Sequence, residues 1–187
     1  MGKKSPLTVV CVGTDRSTGD SLGPLVGSIL RWTGFSGRII GDLDNPVHAE
    51  NLDSTLAMLR GHRGTVLGVD ACLGTKSEVG SVMVRPGPLR PGLGVKKKLA
   101  PVGDLYIAGV VNVGGFMEYM VLQNTRLSLV MKMAQAISSG IHRAEAILQR
   151  AGCGEEPGPS EDRAAIPADL VSDGHHELLL RAFARQR

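Results

Sequence analysis

Apolar runs and helix-spaced apolar positions alternate along the first 150 residues. "PLTVVCVG" (6–13) is a β-branched run with no charged break, the pattern of a strand buried on both faces. "SLGPLVGSILRWTG" (21–34) has the period of a helix, and Pro24 is tolerated near its start, where amides lack partners anyway. "GRIIGDL" (37–43) predicts a second short strand and "ENLDSTLAMLRGH" (50–62) a second helix. "GTVLGVDA" (64–71) predicts a third strand ending at Asp70. "VGSVMVR" (79–85) follows too soon for a helical crossover, so it is expected to join by a hairpin or at an edge. "DLYIAGVV" (104–111) is the last predicted strand. From Thr125 onward, Leu127, Val130, Ala134, Ile137, Ile141 and Leu148 recur at helical spacing and predict a long closing helix. This alternation predicts an α/β fold, a three-layer α/β/α sandwich around a mostly parallel sheet.

A chain of 187 residues that is 42% hydrophobic can bury one full core, so one domain is expected. With aromatics at 3%, that core must be aliphatic. Charge marks where it ends. Residues 1–150 carry 17 Lys and Arg against 11 Asp and Glu, whereas residues 151–187 carry 4 against 7. The same boundary opens "GCGEEPGPSEDRAAIPAD", rich in Gly, Pro and acid, and then the amphipathic "HHELLLRAFARQR". An α/β domain over 1–150 and an acidic linker with a short C-terminal tail over 151–187 are expected. No stretch approaches the roughly 18 uninterrupted apolar residues of a membrane span, and the apolar run after "MGKKSP" breaks too early for a signal peptide. Cys11, Cys72 and Cys153 form no CxxC pair and read as reduced thiols of a cytoplasmic protein.

The first strand runs into "CVGTDRSTGDSLGP" (11–24), a glycine-rich turn before a helix. Such turns commonly hold phosphate. This one has neither the Lys-Ser/Thr of a P-loop nor the GxGxxG of a dinucleotide site, and Asp15 and Asp20 would repel an anion with only Arg16 to offset them. No cofactor is expected. A simpler role for Asp20 is helix capping, worth about 1 kcal/mol. The second acid changes the balance: in an open parallel sheet, ligands bind outside the carboxyl ends of strands where their order reverses. If the first and third strands are neighbours, Asp15 or Asp20 faces Asp70 across that crevice. Two converging carboxylates suggest acid–base chemistry or a metal site.

Four stretches, "GTDRSTGDSLGPLVG", "DNPVHAENL", "GVDACLG" and "GVVNVGGFMEYMVLQNTRLSLVMKMA", occur in order between Leu7 and Ile147. Together they resemble the sporulation protein YyaC family of endospore-forming bacteria. That family is similar to the germination protease of spores and, more distantly, to the hydrogenase-maturation endopeptidases. The resemblance implies an α/β/α sandwich, a catalytic role for Asp20 in "TGDSLGP" and a second essential role for Asp70 in "VDACLG". In the hydrogenase-maturation enzymes the same two positions and a later His grip nickel. Here Asn112 stands where that His would be, so no metal is expected unless His48 substitutes. Germination protease carries a propeptide; only a few residues precede the first strand here, and no comparable control is expected.

Two carboxylates sharing a site cannot both ionise easily, so one would act as general acid while the other activates water. Asp15 would position or perturb Asp20, and Arg16 or the amides of Gly19–Ser21 would hold a developing oxyanion. Asn112, Glu118 and Asn124 are polar candidates for the crevice, and Cys72 with His48 as base is an alternative nucleophile. Residues 85–103 form a basic loop rich in Pro and Gly, either solvated or a guide for an acidic protein substrate. Without interleaved aromatics it is a poor nucleic-acid site. The expected function is an aspartate-dependent peptidase of the sporulating cell or forespore. Its partner would be a protein or peptide substrate such as small acid-soluble spore proteins, with no membrane and no nucleic acid. The alternative is an inactive binding or regulatory protein with the same fold. A homo-oligomer is left open by apolar positions on the final helix.

Overall fold

The β-branched run at the amino end becomes the inner strand of a mostly parallel sheet. In the computed structural model, which describes residues 7–62, 64–92 and 99–151, β1 (Leu7–Cys11) pairs in parallel with β2 (Arg38–Ile40) and β3 (Thr65–Gly74). β3 pairs in parallel with β5 (Leu105–Val113), and β4 (Val82–Pro86) closes that edge antiparallel. The order across the described sheet is β2-β1-β3-β5-β4. The condition that the first and third strands be neighbours is therefore met, and the segment too close for a crossover lies at the edge.

Side-chain alternation along β1 divides the core. Leu7, Val9 and Cys11 face α1 (Leu22–Trp32) and α4 (Leu127–Ala151), which supply Leu22, Val26, Leu30, Val130, Ile137 and Ile141. Val10 and Val12 face the other way, onto Val47, Leu52, Leu89 and Val102. That second layer is thinner, built from α2 (Leu52–Ala57) and loops. Each fully buried Leu or Ile contributes about 1.5–3 kcal/mol, so the α1–α4 side carries most of the stabilisation.

Three boundaries differ from the sequence reading. β3 does not end at Asp70; it continues to Gly74 because β5 offers partners as far as Val113, with a register shift at Cys72/Leu73. α2 stops at Ala57 rather than His62, and the chain then passes through turns to Gly61, whose φ is 78°. An unexpected short helix, α3 (Glu118–Gln123), precedes α4. Of the closing-helix stripe, Leu127 is exposed while Val130 through Leu148 are buried at the predicted spacing. The predicted linker and tail lie outside the described residues beyond Ala151, as do Cys153 and the lysines at 96–98 of the basic loop. Among the described residues no helix is long and apolar enough to cross a membrane.

β1 runs by way of α1 to β2 on one side, and β2 returns by way of α2 to β3 on the other. The strand order thus reverses between β1 and β3, and a crevice forms at their carboxyl ends. β1 stops at Cys11, opposite Val69, while β3 goes on. Asp70 is the first β3 residue beyond its last β1 partner.

Candidate active site

A cavity of about 530 Å³ occupies this reversal point. Three segments deliver its polar groups: the turn after β1, the loop before α2, and β3. The turn is drawn tight by Val12 N–H donating to the Val69 carbonyl, Gly13 N–H to Val47 and Thr14 N–H to Asp20, at 2.8, 2.8 and 3.1 Å. Gly13 sits at φ 137°, and a Cβ there would overlap the Asp20 carbonyl oxygen. The chain then makes one 3-10 turn, Gly19–Ser21, which carries Asp20 to the cavity. Neither this turn nor α1 has a side-chain N-cap bond, and their cap positions are Thr18 and Ser21. Asp20 is not a helix cap.

The second segment is fixed by Asn51, whose Oδ1 accepts the His48 amide and whose Nδ2 donates to the Pro46 carbonyl. A parallel bridge between Val12 and Val47 ties this loop to the end of β1. His48 therefore lines the cavity with its ring oriented: Nδ1 accepts the Glu50 amide at 3.3 Å, leaving the proton of a neutral ring on Nε2. Asp70 comes from β3, is only 9% exposed and accepts the Ala71 amide on Oδ1 at 2.8 Å.

Burial pushes the Asp20 carboxyl above its ordinary 3.8, with the Thr14 amide and His48 pulling it back. For Asp70, burial and then the charge of Asp20 raise it well above the same value, with the Ala71 amide opposing. The two acids feel each other, and Asp70 is raised the further of the two. The contrast is Asp42, a structural acid. Its burial would raise it, but the Asn45 amide, the Arg31 guanidinium at 2.6 Å and the Asp44 amide hold it below 3.8.

The other expected residues divide. Arg16 lines the cavity. Asp15 is exposed and off the lining, because the tight turn directs Asp20 inward in its place. Asn112 and Glu118 are also off it: Asn112 donates from Nδ2 to the Val121 carbonyl and Thr125 Oγ1, tying β5 to α3. Glu118 is half-buried in the first turn of α3. Asn124 is exposed and donates to the Met120 carbonyl. The Ser21 amide, one expected oxyanion donor, points to the Thr18 carbonyl at 3.4 Å. Among the described residues no three His, Cys, Asp or Glu side chains converge closely enough to hold a metal ion.

Cys72 is half-buried, and burial, Asp70 and Glu78 push its thiol up to about 11. The thiolate that a nucleophile needs is disfavoured at pH 7, and Cys72 is not on the cavity lining. Cys11 is fully buried and raised further. At pH 7, iodoacetamide is expected to label these two thiols far more slowly than free cysteine, followed by intact mass. Labelling at the free-thiol rate would contradict the burial.

Sequence reasoning missed Ser17, which lines the cavity together with Tyr119 and Leu122. Ser17 is 7% exposed, and its Oγ has no hydrogen-bond partner among the described residues. Such a group costs about 1–3 kcal/mol. The serine was visible in "DRSTGD", but nothing in the string marks a hydroxyl as unpartnered.

A model of the family "Protein of unknown function (DUF1256)" matches residues 1–140. The chain belongs to the DUF1256 family. Within it, the chain is 54% identical over 139 residues to the uncharacterized protein YyaC of Bacillus subtilis strain 168, covering 73% of this chain and 68% of that one. The fold is shared more widely. The [NiFe] hydrogenase maturation protease HycI of Thermococcus kodakarensis superposes with a TM-score of 0.50 at 17% identity, over 75% of this chain and 91% of that one. A peptidyl-tRNA hydrolase of Acinetobacter baumannii gives 0.50 at 12% identity, over 82% and 92%. The DUF1256 chain therefore has an α/β fold that two different hydrolases also use. At these identities the likeness fixes the architecture and leaves the reaction to the site.

Proposed function

We propose that this DUF1256 protein is a peptidase-like hydrolase of sporulating cells that cuts a protein substrate with Asp20 and Asp70. The single observation that carries the reading is that both acids line one cavity, where burial and the charge of Asp20 raise the Asp70 carboxyl. Asp20, raised less and facing His48, takes a proton from water. That water adds to the scissile carbonyl carbon as Asp70 gives its proton to the carbonyl oxygen, leaving a neutral tetrahedral diol. Asp20 then returns its proton to the leaving nitrogen as the C–N bond breaks, and Asp70 recovers its own from the diol. The rate should rise as pH passes the Asp20 value and fall as Asp70 ionises. Both limbs lie above pH 3.8, the ordinary aspartate value. The sporulation setting rests on the YyaC resemblance, as does the choice of small acid-soluble spore proteins as first substrate.

Near-complete burial of Asp70 favours a second reading, a binding or regulatory protein that has kept the fold without turnover. Incubation with small acid-soluble spore proteins, followed by mass spectrometry beside the Asp20→Asn protein, separates the two. Defined fragments from the wild type alone are the expected result. Intact substrate in both tubes, or equal fragments in both, would overturn the carboxylate-pair reading.

A further inference from the structure

Ser17 is the feature of the cavity that the two acids do not explain. Its neighbours in the turn are satisfied: Thr14 Oγ1 accepts the Arg16 amide at 3.3 Å, and Ser21 Oγ donates to the Thr18 carbonyl at 2.7 Å. The Ser17 hydroxyl, nine-tenths buried and on the cavity lining, has no such partner among the described residues. A buried polar group kept unpaired beside an opening is matched by what enters that opening.

The rest of the lining narrows what that is. Asp20 and Asp70 disfavour an anion. Tyr119 and Leu122 of α3 bring apolar surface into the same cavity. No residue of α3 is fully buried, and Tyr119, 63% exposed, is free of the packing that holds the helix. It is held by Asn112 and by the packing of Leu122 against Gly19 of the turn. It enters through Met117 at φ 52°, a left-handed conformation uncommon for a side chain of this size.

We infer that Ser17 is a substrate-binding residue whose hydroxyl bonds a main-chain amide of a bound peptide, while an apolar side chain next to that amide rests on Tyr119 and Leu122. A peptide segment supplies both parts, a neutral amide that suits a hydroxyl sharing its cavity with two acids and a side chain that covers apolar surface. This deepens the peptidase reading by naming the residue type the substrate presents, and it rests on that reading for the class of ligand.

The test uses the wild-type, Ser17→Ala and Tyr119→Ser proteins with two capped tetrapeptides. One carries phenylalanine and leucine at its centre and the other aspartate and serine, and binding is followed by NMR titration beside thermal melts. Removing an unpartnered hydroxyl should leave the Tm of Ser17→Ala at or above the wild-type value. Its affinity for the apolar peptide should fall by about three- to tenfold, the worth of one hydrogen bond. Tyr119→Ser, an exposed change, should weaken the same peptide without moving Tm. The acidic peptide should bind more weakly than the apolar one throughout. A lowered Tm for Ser17→Ala would give the hydroxyl a structural partner and overturn the inference. So would equal affinity in wild type and Ser17→Ala, a preference for the acidic peptide, or no binding of either. Cleavage of a protein substrate that persists with unchanged KM in Ser17→Ala would remove this inference and keep the peptidase. Absence of both binding and cleavage would remove both.

Discussion

At pH 7 the Asp70→Asn protein is expected to lose cleavage by about a thousandfold, the usual worth of a general acid, while melting at a higher temperature than the wild type. Both effects have one cause. Burial and the Asp20 charge raise the Asp70 carboxyl well above 3.8, so the folded protein holds this proton more tightly than the unfolded chain does. The residue therefore contributes its full stability below about pH 3.8, and that contribution is lost as pH rises through the folded value. The asparagine side chain has the same shape, still accepts the Ala71 amide through its oxygen, and has no charge to bury. The gain in Tm should therefore be largest at neutral pH and vanish near pH 3. Melts at both pH values beside the cleavage assay check it. A lower Tm at neutral pH would make Asp70 a structural residue, and undiminished cleavage would take it out of the chemistry.

That prediction depends on a pairing the sequence reading held as a condition on the sheet order. β1 and β3 were legible as apolar runs, but their adjacency was only a condition until the sheet order brought the turn and Asp70 to one crevice. What periodicity could not show was where β3 stops, because the end of a strand depends on its neighbours. β5 carries β3 four residues past Asp70, so Asp70 lies inside a strand, beside the end of β1. α2 was overextended for a related reason. Leu56 and Leu59 continue the apolar period and pack partly against the second core layer, but only Leu52 and Thr55 of that helix are buried. α3 was missed because six residues, none of them buried, give no apolar stripe at helical spacing.

The polar residues show the same limit. Asp20 and His48 stand in motifs and reach the cavity, whereas Asp15, in the same turn, points away. The difference between them is one of backbone direction, set by the bond from the Thr14 amide to the Asp20 carbonyl and by the conformation of Gly13. Asn112 was placed in the crevice by its alignment with a ligand position. The structure uses both ends of its amide locally, Oδ1 for the Val113 amide and Nδ2 for α3. A side chain so engaged is a brace for α3, whatever its counterpart does elsewhere.

The turn itself is the other point of large effect. Gly13→Ala is expected to destabilise the fold by about 3–5 kcal/mol, lowering Tm on the order of 10 °C in a chain of this size. Two costs combine. At φ 137° a side chain is strained, and its Cβ would overlap the Asp20 carbonyl oxygen, with Pro24 Cδ at 3.1 Å behind it. Relief requires the Thr14–Asp20 hydrogen bond to open, which moves Asp20 itself. Gly34 separates the two costs. It also has a positive φ, 77°, but nothing lies within 4 Å of where its Cβ would be. Gly34→Ala should therefore cost only the backbone strain, about 1 kcal/mol. Thermal melts of the two variants side by side read the overlap as the difference between them. Equal losses would mean that the turn can relax around a side chain and that the position of Asp20 does not depend on Gly13. A much larger loss at Gly13, together with lost cleavage, would show that one glycine sets both the stability of the turn and the place of the acid it carries.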